Sequence, residues 1–297
     1  MAAITFELLE ILDAIDRRGS FAAAANELNR VPSALSYSIQ KFEEALGLSL
    51  FVRQGRKSVF TPAGRLLLEQ GRHLLNAAGV LSDDVRTLAT GWEPRLKIAV
   101  DSLVSVDAVM AVLNEFLGAH PGVEIDLCEE VLGGTWESLI EDRVQLVIGA
   151  PDPKPPGHGL RCELLGKVER VFAVSPNHPL AKSPKTLSAD EIAHHRIVIV
   201  HDSSRSTVPR ATRLLNEDKH FYVQTIAQKI AAQKAGIGAG FLPRNLVADD
   251  LASGRLVELE VRGVNLEDPL YLAWKTNNKG QGLRALATML LAAKIPL

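Results

Sequence analysis

Cysteine is almost absent from this chain. Cys128 and Cys162 are the two among 297 residues, too few for a disulfide framework and outside any metal-ligand spacing, so both read as reduced structural thiols. A redox switch between them has little support, because Cys128 falls mid-strand and no basic neighbour lowers either thiol. An excess of charge of one sign is also lacking. The formal net charge of −2 excludes a protein that coats nucleic acid or anionic membrane through bulk charge, although an average conceals local patches. No stretch of about 18 apolar residues occurs, and residues 1–16 carry neither a basic region nor a small-residue cleavage site. A cytoplasmic location and no membrane partner are expected. Catalytic punctuation is missing too. There is no nucleophile elbow or P-loop, and His194 and His195, being adjacent, cannot share one helical face as a metal pair. Gly236, Gly238 and Gly240 follow an expected helix and lead into a strand, the reverse of the order that brings a dinucleotide's pyrophosphate to a helix N-terminus. No cofactor, metal or catalytic residue is expected.

What is present is an ordinary globular composition, 46% hydrophobic and 23% charged, in a chain long enough for two or three domains. Residues 6–17 place Leu8, Leu9, Leu12 and Ile15 at helical spacing, with a stop at Gly19. Ser20 caps a second helix rich in alanine, whose small side chains let another helix cross closely. Asn29 and Arg30 interrupt the pattern. A third helix starts near Pro32 and carries Leu35, Ile39, Phe42 and Leu46 as an apolar stripe. Its other face shows Ser33, Ser36, Tyr37, Gln40 and Lys41, with Arg30 and Pro32 at its entry, groups suited to a DNA major groove. A short hairpin follows over residues 50–61, with Arg53, Arg56 and Lys57 around its tip as a wing. From Arg17 to Arg72 nine residues are basic and four acidic, a local excess that the whole-chain charge conceals.

The segments GSFAAAANEL, SALSYSIQKFEEALG and LFVRQGRKSVFTPAG resemble the LysR-type transcriptional regulators, a match over most of the first 65 residues. The resemblance implies a winged helix-turn-helix whose third helix reads the major groove through Ser33, Ser36, Tyr37 and Lys41, while Arg53 and Arg56 make wing contacts. Val31 and Pro32 depart from the family's capping Thr or Ser followed by Gln. Loss of a side-chain cap costs ~1 kcal/mol, partly offset by proline at the first turn.

Between residues 62 and 89 no further proline occurs, and Leu67, Gly71, Leu74, Ala78, Leu81, Val85 and Leu88 form an alternating three-four repeat. On a helix of about 40 Å this is a two-helix seam. The resemblance implies a homodimer here and a dimer of dimers, a homotetramer, beyond it. Gly91 to Pro94 end the helix. Beyond them strands and helices alternate as βαβαβ, which implies a parallel sheet with ligands beyond its carboxyl ends. Two α/β lobes of this kind resemble the family's effector domain. Its cleft then points to Asp101, Ser102 and Leu103 after the first strand, Val131 and Leu132 after the second, and His201, Asp202, Ser203 and Ser204 from lobe II, with Trp136 closing one wall. Helix N-termini near Ser102 and Ser203 favour an anionic effector, whereas Asp101, Glu130 and Asp202 oppose one.

The expected fold class is therefore α/β overall, an N-terminal all-α winged helix-turn-helix with a long linker helix and a two-lobed α/β domain. Expected boundaries are 1–61 for DNA binding, 62–91 for the linker and 95–297 for the effector domain, with lobe I at 95–167 and 269–297 and lobe II at 168–268. The expected function is a regulator that binds a double-stranded DNA operator under control of a small-molecule effector. The alternative is an enzyme or solute-binding protein in which the helical N-terminus only oligomerises.

Overall fold

A computed structural model describes residues 4–55, 57–183, 186–205 and 219–297. The chain packs as two compact units that meet in sequence between Ser82 and Asp83.

In the first unit, helix α1 (Phe6–Arg18) begins where the Thr5 hydroxyl accepts a hydrogen bond from the Leu8 N–H at 3.2 Å, and it ends at Gly19, whose φ of +71° suits glycine. Ser20 caps α2 (Phe21–Glu27) in the same way through Ala23. Its Ala24 and Ala25 are fully buried, so the small side chains do bring neighbouring helices close. Helix α3 (Pro32–Leu46) has no side-chain cap at Val31 and starts with proline in its first turn. Leu35, Ile39 and Phe42 join the core formed by Leu8, Ile11, Leu12 and Ile15. Leu46, expected as the fourth member of that stripe, is exposed, because the core on this helix ends at Phe42. Strands β1 (Phe51–Gln54) and β2 (Lys57–Phe60) pair antiparallel with Arg53 opposite Ser58. Phe21 meets Phe51 edge-to-face at 5.1 Å between centroids, and Phe51 meets Phe60 at a tilt at 4.4 Å. Thr61 then leads into the single long helix α4 (Pro62–Thr90).

The second unit opens as expected with β3 (Arg95–Asp101), α5 (Val106–Ala119), β4 (Glu124–Glu130), α6 (Gly133–Ile140) and β5 (Leu146–Pro151), the three strands lying parallel. Next come β6 (Leu160–Val174), β7 (Thr186–Leu187), α7 (Ala189–Ala193), β8 (Ile197–Val200), β9 (His220–Val223), α8 (Ile226–Lys234), β10 (Gly240–Pro243), α9 (Arg244–Ala252), β11 (Val257–Val261), β12 (Glu267–Lys275) and α10 (Gln281–Ala292). The main sheet runs β4-β3-β5-β12-β6-β11-β7, with β10 also on β6, while β8 and β9 pair in parallel. Strand β6 is one continuous strand of 15 residues. Its first part pairs with β12 and its last with β10 and β11, so it belongs to both lobes.

In lobe I, α5 and α10 cover one sheet face through Phe116, Leu283, Leu286 and Leu290. The other face packs Trp136 and Leu139 of α6 against Val147, Ala150 and Ala273. In lobe II, Phe172 and Val174 point to one core and Val171 and Ala173 to another, the alternation that a strand covered on both faces requires. Glu93, just after α4, is buried. Its carboxylate accepts the N–H groups of Gly282 at 2.8 Å and Leu283 at 3.2 Å, the first turn of α10. Gly280 has to be glycine for this, since a Cβ there would lie 1.7 Å from Glu93 Oε1.

Candidate nucleic-acid and effector sites

The third-helix face is laid out as a reading surface. Ser33, Ser36, Tyr37, Gln40 and Lys41 are all exposed on α3, with Tyr37 two-thirds open to solvent. The Ser36 hydroxyl donates to the Pro32 carbonyl at 3.1 Å and Gln40 donates to Glu44 at 2.9 Å, so both are oriented along the helix rather than free. Arg30 is paired with Glu7. Arg53 is exposed on β1, Lys57 opens β2, and Arg56 lies outside the described residues.

The local charge excess needs correction. A window opened at Arg17 omits Glu7, Glu10, Asp13 and Asp16 on α1. Three of these take up arginines, Asp13 and Asp16 binding Arg72 at 2.7 and 2.9 Å, Asp16 binding Arg65 and Glu7 binding Arg30. Glu27 similarly holds Arg17 and Arg18, which keep its carboxyl at about 2. Among the described residues Lys41 and Arg53 are the basic groups near this surface that make no ion pair.

The expected linker seam divides in two. Gly71 is buried, and a Cβ there would meet Leu9 at 2.6 Å, while Leu67 packs against the helical core. These two positions serve the unit's own interior, because α4 crosses α1 closely at Gly71. Leu74, Leu81, Val85 and Leu88 are exposed, Leu81 by 65% and Leu88 by 90%, with Ala78 half-buried between them.

Most of the expected effector residues converge where the two lobes meet. Asp101, at the end of β3, is buried and accepts N–H groups from Leu103 at 3.0 Å and Leu132 at 3.1 Å and the Thr135 hydroxyl at 2.7 Å. Burial outweighs these donors and pushes its carboxyl up to about 7. Leu132 is thereby held at a φ of +53°, a conformation costly for a branched side chain. From lobe II, the Ser203 hydroxyl accepts the Val131 N–H at 2.8 Å and donates to Glu130. Asp202 accepts Gly133 and Gly134 N–H at 3.1 and 3.2 Å, and its own Oδ1 also takes the Ser204 N–H. Arg205 N–H reaches Glu137 at 2.6 Å. Arg143 completes the cluster, pairing with Glu130 at 2.8 Å. His201 is exposed and stacks on Tyr222 at 4.9 Å.

Three expectations change here. Trp136 does not wall a cleft; it is 2% exposed, and its indole N–H donates to the Pro151 carbonyl at 2.7 Å, because the first turn of α6 is turned toward the sheet. Ser102 is not at a helix N-terminus, since α5 starts after Ser105 and the Ser102 N–H is spent on the Glu130 carbonyl. The helix N-terminus that is present, that of α6, is occupied by the carboxylate of Asp202. Two residues that pattern reading passed over make this possible. A Cβ on Gly133 would sit 2.8 Å from Asp202, and one on Gly134 would sit 1.9 Å from the Ser203 hydroxyl. A glycine pair between a strand and a helix was the signal available.

Comparison with known proteins resolves the class. Residues 6–65 match the bacterial regulatory helix-turn-helix protein family of lysR type, and residues 89–294 match the LysR substrate binding domain. The chain belongs to the LysR family. This LysR-family regulator is 39% identical over 280 residues to the probable HTH-type transcriptional regulator YhaJ of Escherichia coli (strain K12), covering 94% of this chain and 93% of that one. To the HTH-type transcriptional regulator PunR of the same organism it is 32% identical over 275 residues, covering 93% and 89%. Among solved structures, full-length CbnR complexed with its target DNA has the same fold, at a TM-score of 0.64 and 19% identity, covering 98% of this chain and 99% of that one. The LysR-family chain is a helix-turn-helix transcriptional regulator with an effector-binding domain, and no described helix is long and apolar enough to cross a membrane.

Proposed function

We propose that this regulator acts in the cytoplasm as a homodimer, and as a dimer of dimers on its operator, with residues 1–61 binding DNA, 62–91 dimerising and 95–297 sensing. Tyr37, Ser33 and Ser36 read bases, and Lys41 and Arg53 hold phosphates. The exposed stripe of Leu74, Leu81, Val85 and Leu88 supports dimerisation, since four large apolar side chains left in water on one helix await a partner surface. The effector lies between the lobes, against Asp101, Leu103, Val131, Leu132 and the segment from His201 to Ser204.

The observation that carries the sensing half is the hydrogen-bonded contact between lobes. Ser203 and Asp202 of lobe II bind the backbone and side chains of residues 130–134 in lobe I. A ligand entering there must displace those bonds, and so changes the angle between lobes. The test is footprinting of the full-length protein on DNA from its own upstream region, with and without a metabolite library, at two salt concentrations. Retardation that weakens as salt rises and a footprint that changes with one compound are expected. No retardation at low salt refutes DNA binding there, and a footprint unchanged by every compound refutes the sensing.

A further inference from the structure

Lobe II buries a lysine that no described residue neutralises. Lys229 lies one turn into α8 and is 9% exposed, yet its ammonium makes no ion pair and no hydrogen bond with any described residue. The charge it feels most is of its own sign, from Arg170, and burial together with that repulsion lowers its ammonium to about 8. Asp250 is already held by Lys234, at the end of α8, and by Arg255. One turn further along α8, Gln233 is fully buried, and both its amide oxygen and its amide nitrogen lack a hydrogen-bond partner.

Opposite the pair stands Gly240 on β10. A Cβ there would come within 2.7 Å of Gln233 Nε2 and 3.3 Å of Lys229 Cε, so the absent side chain is what leaves the two polar groups room. Beside them Val198, Val223 and Ala232 form a small apolar core against α8. An ammonium and an amide left unpaired in such surroundings are destabilising. A folded chain tolerates that cost where a ligand supplies the missing partner.

The position fits a ligand site. Helix α8 starts at Thr225, immediately after β9, and His201 N–H bonds to the Val223 carbonyl at 2.9 Å. The buried pair therefore sits about one helical turn below the segment that docks on lobe I. Helical side chains lean toward the helix N-terminus, which here is the side of that segment.

We infer that Lys229 and Gln233 form an anion site in lobe II that takes the carboxylate of a small organic acid, Lys229 supplying the charge and Gln233 Nε2 a hydrogen bond. This assigns the anionic end of the ligand to α8, since the N-terminus of α6 is filled by Asp202. It rests on the reading that the domain binds an effector, but not on the ligand changing DNA binding.

The test is a thermal titration of the full-length protein with sodium acetate and sodium benzoate against sodium chloride at equal ionic strength. Wild type should show a saturable rise in Tm with either carboxylate and none with chloride. Lys229→Met should lose that rise while starting from an equal or higher Tm, because an unpaired buried charge has been removed; Gln233→Leu, as a second variant, should weaken it. A carboxylate response no larger than that of chloride, or one that survives in Lys229→Met, overturns the inference. Footprints recorded on the same samples report separately on regulation: stabilisation lost in Lys229→Met supports the site even if no footprint moves.

Discussion

Removing the carboxylate of Glu93 should destabilise the effector-binding unit without touching any ligand contact. Glu93 follows the linker helix, and its two oxygens receive the Gly282 and Leu283 N–H groups at 2.8 and 3.2 Å. A hydrogen bond to a charged group contributes about 1.5–3 kcal/mol, and a buried N–H left without a partner costs a similar amount. The two bonds share one charge and are not additive, so Glu93→Ala should cost about 3 kcal/mol. For a unit of this size a loss of 1 kcal/mol lowers Tm by roughly 2–4 °C, giving a fall of roughly 6–12 °C. Differential scanning calorimetry of the full-length protein reads this directly. Glu93→Gln keeps one acceptor oxygen and should fall between wild type and Glu93→Ala. Gly280→Ala, which drives a Cβ into the carboxylate, should reproduce the loss from the opposite side. Wild-type stability in Glu93→Ala, or a Glu93→Gln as damaged as the alanine variant, would refute the assignment of this side chain as the cap of α10.

At the DNA surface, Tyr37→Ala should change which sequences are preferred. Arg53→Ala should weaken binding to all sequences alike and lower the salt slope by about 1; selection from a randomised operator together with a salt titration separates the two, and the same change in both variants would refute the division. Leu81→Glu should dissociate the dimer, since one buried leucine contributes about 1.5–3 kcal/mol and each dimer loses two; sedimentation at micromolar concentration should find monomer, and an unchanged species would place the interface elsewhere. Asp101 predicts a pH effect. With its carboxyl raised to about 7 from a usual 3.8, the folded state binds a proton more tightly than the unfolded one, so this group's contribution to stability falls as pH rises through that interval and is flat above it. The urea midpoint of wild type relative to that of Asp101→Asn should fall monotonically between pH 4 and pH 7 and stay constant beyond, and a constant or rising difference would contradict the shift.

The helix-turn-helix was legible because its helices are bounded by residues with one conformational job, Gly19, Ser20 and Pro32, and carry their apolar stripes locally. Surface charge was not legible in the same way. The partners of Arg65 and Arg72 lie some 50 residues earlier on α1, and a window of sequence cannot show a pair that folding creates. The same limit applies to Gly71 and Leu67, whose heptad spacing is satisfied by α1 instead of by a second chain. At the meeting of the lobes, strand ends pointed to segments that the fold brings together, Asp101 to Leu103 and His201 to Ser204. They did not reveal that these segments bind one another, because that depends on Gly133 and Gly134 being close to residues about 70 positions away. Trp136 was misjudged for a related reason: a large aromatic one turn into a helix suits a cleft wall or a core equally, and only the bond to Pro151 distinguishes them. The unpaired Lys229 leaves no trace in pattern at all, since its spacing is that of any amphipathic helix.

Strands β6 and β12 have a consequence of their own. They run side by side from Leu160 opposite Lys275 to Glu169 opposite Glu267, with one irregularity between Leu270 and Tyr271. Beyond them β6 continues into the second lobe without a break. Lobes joined by loose loops can drift apart and slide, whereas lobes that share a hydrogen-bonded ladder can only twist about it, as two pages turn on a spine. In the proposed mechanism ligand occupancy is transmitted as a rotation. The step at Leu270 faces Gly166, where a Cβ would lie 2.7 Å from the end of the Leu297 side chain. A single added methyl at Gly166, far from DNA and from any ligand, is thus positioned to detune the response while leaving both binding surfaces intact.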